Sequence, residues 1–398
     1  MTLVNLSVDR QNCQRAVRPG LSALRYRKLR MVANSAHRAL IYGKYWECSC
    51  QSRHHIRFIL DPNFDFNEKS CRVIVTTAID DDQAKASCNW EEMEVESLDL
   101  AGPVPTPDTS QKKNVGLPVA CWEHQMCSEP DHKVLPAQIS SICSILRGLK
   151  MTEGQRELVG FLSDKSYHHY MYVVRKASGR LQSQTLEEII LSSPLFPWVA
   201  STGSGLIFNR RDRLHLAVEL ARSVIQFHGN WLRVNWSSRD ILFPKGPIEM
   251  KELLQPFLVW SISNCPDATA SHTNSSVVRN KTLFPLGLAL IELSLCRTIT
   301  ALRIPEDENP DNEVALLKTA NRCLGHVYVE SGTRYGDVVQ QCLSWPHTRE
   351  TNLDNEVFQD TFFQYIISPL LDDVEDFDGC QLAGGQEKKK CISGWTEA

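Results

Sequence analysis

Arg210-Arg-Asp-Arg-Leu-His-Leu-Ala-Val-Glu-Leu-Ala-Arg-Ser-Val-Ile-Gln-Phe-His228 is the stretch from which the fold is read. Leu214, Ala217, Ala221, Val224, Ile225 and His228 recur at the spacing of one helix face, which predicts an amphipathic helix with that stripe toward a core. After it comes Trp231-Leu-Arg-Val-Asn-Trp-Ser-Ser-Arg-Asp-Ile-Leu-Phe243, a loop dense in aromatic and polar residues. Further on, Leu283 to Leu295 is apolar on nearly every side apart from Glu292, so a helix buried at the centre of this half is expected. A short helix over Thr185 to Leu191 and longer ones over 313–324, 335–344 and 354–371 complete a helical C-terminal half.

Toward the N-terminus the period shortens from 3.6 to two. Ile56, Phe58 and Leu60 alternate with Arg57 and Ile59, and beyond Asp61-Pro62-Asn63 the β-branched run Cys71 to Ile79 supplies the second arm of a hairpin. Trp90 and Val95, set among Glu91, Glu92, Glu94 and Glu96, predict an exposed strand. A short helix is expected from Ile139 to Gly148, then strands over Leu158 to Leu162 and Tyr167 to Val174. Pro103, Pro105, Pro107, Pro118, Pro130 and Pro136 mark a long insertion with no apolar period. The fold class is therefore α+β. The expected units are an N-terminal helical segment over 1–47, a small β-rich lobe with one helix over 48–176 interrupted at about 101–137, a helical lobe over 177–378, and a flexible tail over 379–398.

Composition excludes more than it assigns. The chain has 398 residues, 42% hydrophobic and 23% charged, with a net charge of -4, the balance of a soluble globular protein with no global attraction for polyphosphate. No nucleic-acid partner is expected. The basic cluster Arg15, Arg18, Arg25, Arg27, Lys28 and Arg30 reads as the solvated face of a helix, with contact to a membrane or a partner as the weaker reading. MTLVNLSVDR lacks the charged leader and apolar run of a secretory signal, and no apolar run reaches the roughly 20 residues of a spanning helix, so no transmembrane segment is expected. The 14 cysteines are then read as reduced thiols in a cytoplasmic setting. Two clusters hold zinc-ligand residue types: Cys48, Cys50, His54 and His55, and Cys121, His124, Cys127 and His132. Neither has the paired C-x2-C spacing of a closed tetrahedral site, so buried thiols and ordinary histidines are preferred and no metal or other cofactor is expected.

A small strand-rich lobe holding one helix, followed by a helical lobe, resembles a protein kinase. Ala221 to His228 resembles the long helix before the kinase catalytic loop, Trp231 to Phe243 sits where that loop would be, and Phe284-Pro-Leu-Gly-Leu-Ala-Leu-Ile-Glu-Leu293 resembles the buried S-x-G-x-x-L-x-E-L helix. The arrangement is similar, more closely still, to a fungal family of unknown function with a degenerate kinase-like half. The segments carrying that likeness are Trp46-Glu-Cys48-Ser-Cys50 with His54, Leu158-Val-Gly-Phe-Leu162, and Trp231 to Phe243. The resemblance implies a fungal source and an association with heterokaryon incompatibility.

It also implies which chemistry is missing. Phosphoryl transfer needs a loop Asp, a Lys for phosphate and ligands for magnesium. Aligned on Asp240-Ile-Leu242, Asn235 takes the place of the catalytic Asp, Ser237 that of the loop Lys, and Asp240 that of the metal-binding Asn. No Asp-Phe-Gly follows, the G-x-G of Gly203-Ser-Gly205 lies far from the early strands, Arg72 opens the strand that would hold the phosphate-pairing Lys, and the helix meant to carry its Glu partner has only Arg147. No residue is assigned a catalytic role. Trp231, Trp236 and Arg239 are expected to pack the loop or to contact a partner, with Arg239 and Asp240 as a local ion pair. The resulting expectation is a catalytically degenerate protein-interaction or regulatory module with protein partners. The alternative is an atypical phosphotransferase or nucleotide binder using Asp240 with Glu249 or Glu252 to hold metal.

Overall fold

A computed structural model describes residues 23–48, 54–60, 70–78, 88–100, 136–149, 156–178, 182–192, 209–245, 255–262, 278, 280–348 and 350–379. The Pro-rich insertion, Gly203-Ser-Gly205, the Cys121 cluster, Glu249, Glu252 and residues 380–398 lie outside these.

The described chain is a mixed α+β structure built on an antiparallel sheet. Helix α1 (Ala23–His37) and a π-helical turn (Arg38–Tyr42) lead into β1 (His54–Ile59), β2 (Ser70–Ala78) and β3 (Cys88–Asp99). Helix α2 (Ile142–Gly148) precedes β4 (Glu157–Ser163) and β5 (Tyr167–Ser178), then β6 (Ser183–Thr185) and α3 (Leu186–Ser192). Helix α4 (Arg210–Phe227) is followed by β7 (Leu242–Pro244) and β8 (Phe257–Ile262). The rest is helical: α5 (Phe284–Leu295), α6 (Ile299–Leu302), α7 (Asn312–Ser331), α8 (Thr333–Ser344) and α9 (Glu356–Phe362), which runs through a π turn (Phe363–Ile367) into further helix over 368–379.

Among the described residues the strands lie in the order β4-β5-β3-β2-β1-β8-β7-β6, each antiparallel to its neighbours. The β1–β2 hairpin has the register Ile56↔Val75 and Phe58↔Val73, which puts the alternating apolar residues of both strands on one buried face. β1 also pairs with β8, Ile56 opposite Trp260, so the sheet reaches from the early strands to the segment after α4.

Several expectations are corrected. β3 forms, but it is not an exposed strand: Glu91 and Glu92 are both buried, on opposite faces of a strand flanked on each side by β2 and β5. Glu92 pairs with Arg72, and Glu91 faces Lys176 Nζ at 3.6 Å. Helix α2 starts three residues late, at Ile142. Ile139 N–H instead donates to Phe161 O at 2.9 Å and Phe161 N–H to Ala137 O at 3.1 Å, which holds 137–139 extended along β4. That approach is close enough to require glycine at 160, where φ is +140° and a Cβ would lie 2.6 Å from Ala137 O.

Two of the cations of α1, Arg27 and Arg30, are engaged by the fold rather than left on a solvated face, while Lys28 is exposed and Arg15 and Arg18 lie outside the described residues. Tyr26, Leu29, Ala33 and Ala36 bury one face of the helix, and the flanking cations find partners far along the chain. Arg27 reaches Asp360 at 2.7 Å, Arg30 reaches Asp354 at 2.7 Å and His228 O at 2.8 Å, and Arg38 reaches Asp164 at 2.5 Å. Helix α5 is buried all round as expected, Tyr335 Oη donating to Leu290 O at 2.9 Å. No described helix is long and apolar enough to cross a membrane.

Candidate functional site

The loop between α4 and β7 begins where the helix is made to stop. Helix α4 opens on a capping box, Asn209 with Asp212, and closes at His228, after which Gly229 turns the chain at φ +82°. Asn230, buried, donates from Nδ2 to Asn34 Oδ1 at 2.6 Å and accepts from Trp231 N–H, tying the loop to α1. Trp231 is then driven inward. Its ring stacks on Phe58 of β1 at 4.5 Å and meets the edge of His37 at 4.9 Å, while its carbonyl accepts from Trp260 Nε1 at 2.7 Å. Trp236 is also buried, and the indole N–H groups of both have no hydrogen-bond partner among the described residues.

The polar positions turn the other way. Asn235 and Ser237 are exposed. Asp240 Oδ2 accepts from Ser237 N–H at 2.8 Å and from Ser237 Oγ at 3.2 Å, and Asp240 N–H donates to Ser237 O at 3.0 Å, so this carboxylate closes its own turn. Arg239 does not pair with Asp240, which is occupied there. It forms a fork with Glu187 of α3, Nε to Oε2 at 2.7 Å and Nη2 to Oε1 at 3.0 Å. Behind them the buried Glu292 of α5 accepts from Ile299 N–H at 2.8 Å, and burial raises its pKa against the opposing effect of its hydrogen bonds from Ile299 and Ser238.

Beside the loop lies a depression of about 120 Å³ lined by Trp231, Arg239, Asp240, Leu242 and Leu258, well short of the roughly 300 Å³ at which small-molecule sites begin. Asp240 is the one carboxylate on its wall among the described residues. Magnesium bound with nucleotide takes carboxylate oxygens together with substrate phosphates, and a single Asp already capped by Ser237 offers little of that. An exposed carboxamide at Asn235 has no proton-accepting capacity comparable to a carboxylate.

A second gathering of polar groups lies at the start of β1. Of the first group of zinc-ligand residue types, Cys48 and His54 come together, Cys48 Sγ to His54 Nε2 at 3.2 Å. His55 points to the other face of the strand, where Nδ1 meets Ser261 Oγ at 3.0 Å, and Cys50 is outside the described residues. In place of His55 the fold brings Cys143 of α2. Sequence reasoning passed over Cys143 because it sat on the apolar stripe of a short helix, and passed over Glu187 because nothing nearby in the chain pointed to Arg239.

The family model described as "Domain of unknown function (DUF7580)" matches residues 25–377. The chain belongs to the DUF7580 family. The DUF7580 match opens inside α1 and closes in the last helical segment, so it takes in both the Trp231 loop and the Cys48 corner. No curated protein matches the chain. Membership in DUF7580 brings no activity with it.

Proposed function

We propose that this chain is a protein-interaction or regulatory module on a kinase-like scaffold that performs no phosphoryl transfer. In this reading β1 to β5 with α2 between β3 and β4 are the small lobe, within 48–176, and α4 to α9 around the buried α5 are the helical lobe, within 177–378. The observation that carries it is the state of Asp240: its carboxylate is held by Ser237 inside one turn, while Asn235 and Ser237 stand exposed where a base and a phosphate-binding lysine would be needed. The apolar frame of the loop is kept and its ionic chemistry is gone. The same resemblance supports a fungal source and an incompatibility-type setting, while the scattered cysteines without a secretory leader favour a cytoplasmic location.

Thermal unfolding of the full chain with and without ATP and magnesium tests the reading. A ligand at 100 times its Kd would stabilise the native state by about 2.7 kcal/mol, several degrees in Tm. The proposal expects no displacement. A clear rise that disappears in Asp240→Ala contradicts it and favours the phosphotransferase or nucleotide-binding alternative.

A further inference from the structure

We propose that Cys48, His54 and Cys143 form a zinc site. The three residues come from three segments that meet only in the fold. Cys48 follows Trp46, whose buried indole donates from Nε1 to Leu40 O at 2.6 Å and whose carbonyl accepts from Cys48 N–H at 2.8 Å. His54 opens β1 and is fully buried. Cys143 lies in the first turn of α2, 1% exposed, and the neighbouring Ile142 N–H donates to Tyr45 O at 2.9 Å, which fastens that turn to the segment carrying Cys48. One donor atom from each residue lies within 4.8 Å of the other two.

The orientation of the imidazole is the second, independent observation. His54 Nδ1 sits 3.3 Å from Thr76 O on β2, and a carbonyl oxygen only accepts, so Nδ1 carries the proton. Nε2 is left with its lone pair, and it is the atom 3.2 Å from Cys48 Sγ. A metal-bound histidine is set up in this manner, its other ring N–H given to a backbone carbonyl that fixes tautomer and rotation. Trp46 lies against the same ring at 5.0 Å.

The donor set selects the ion. Two thiolates and an imidazole suit zinc, whereas calcium and magnesium require oxygen ligands. Two ionised thiols this close, one of them buried, repel each other and lose hydration, and a divalent cation offsets both penalties by neutralising their charge. On binding, the two thiols release their protons to solvent and form two Zn–S bonds, His54 Nε2 forms the third bond, and one tetrahedral position is left for a further ligand or water.

The test is metal content and cobalt spectroscopy on the full chain, purified reduced and without chelator. Wild type is expected to carry zinc; Cys143→Ser and Cys48→Ser should each lose about one zinc per chain, and His55→Ala none. Cobalt in place of zinc should give thiolate-to-metal charge transfer in wild type and lose that intensity in Cys48→Ser. Cys48 is only half-buried, so that variant keeps the test open if Cys143→Ser fails to fold. Wild type without zinc, a disulfide between Cys48 and Cys143 in its place, or undiminished zinc in folded Cys48→Ser overturns the proposal.

Discussion

Between Trp231 and Leu242 the aromatic rings go inward and the polar side chains go outward or to one another; at Cys48, His54 and Cys143 the polar atoms go inward and face one point. The loop carboxylate is satisfied locally, since Asp240 and Ser237 lie in one turn. The corner cannot do so, because its donors belong to three segments that meet only after folding. Polar groups that cap their own turn hold shape. Polar groups brought from a distance into a buried space require a reason to be there, and the buried space raises the energetic cost of leaving them uncompensated.

Acid should have the largest effect, and it falls on the loop side. Burial lowers the pKa of His37, His169 and His228 to about 4 in each case, with Arg38 adding to the effect at His37. His37 stands edge-on to both Trp231 and Trp260. These rings are neutral in the fold and take up protons near pH 6.5 once unfolded, so stability is fully present above that pH and is lost as pH falls toward about 4. Each contributes on the order of 3 kcal/mol by the bottom of that window, read from urea unfolding monitored by tryptophan fluorescence between pH 7 and pH 4. A flat profile would break the account of these buried rings.

Truncating Trp231 comes next. Trp231→Ala removes a ring stacked on Phe58 and should cost about 3–5 kcal/mol in urea unfolding. A variant as stable as wild type would mean that this ring does not pack the loop. Arg30→Ala, which takes away the bond to Asp354 and the cap on His228 O, should cost about 2 kcal/mol by the same measurement. Asn235→Ala should change stability by less than about 0.5 kcal/mol, since this exposed group packs nothing. A larger loss there would give Asn235 a structural duty and sharpen the boundary between the two regions.

What the sequence made legible was whatever depends on neighbours in the chain. The stripe of Leu214 to His228, the alternation of Ile56 and Phe58 and the all-apolar Leu283 to Leu295 each became the expected element, because periodicity reports which face is buried. What it hid depends on partners far away. Glu91 and Glu92 looked solvated because Lys176 and Arg72 come from other strands, and Arg27, Arg30 and Arg38 looked solvated because Asp360, Asp354 and Asp164 arrive from other elements. The candidate site divides in the same way. The sequence showed Asn235, Ser237 and Asp240 together in one loop, whereas the Cys48 cluster was half readable: His54 was found, His55 was wrongly grouped with it by adjacency on a strand whose successive side chains face opposite ways, and Cys143 was hidden in a helix.

The most direct measurement of the central claim is turnover. Incubating the full chain with magnesium and ATP labelled at the γ-phosphate, and following both ADP release and label on protein, should give ADP at the buffer rate and no label. ADP release that rises with protein concentration and falls to background in Asp240→Ala would contradict the account, because it would show that the turn closed by Ser237 opens to do chemistry.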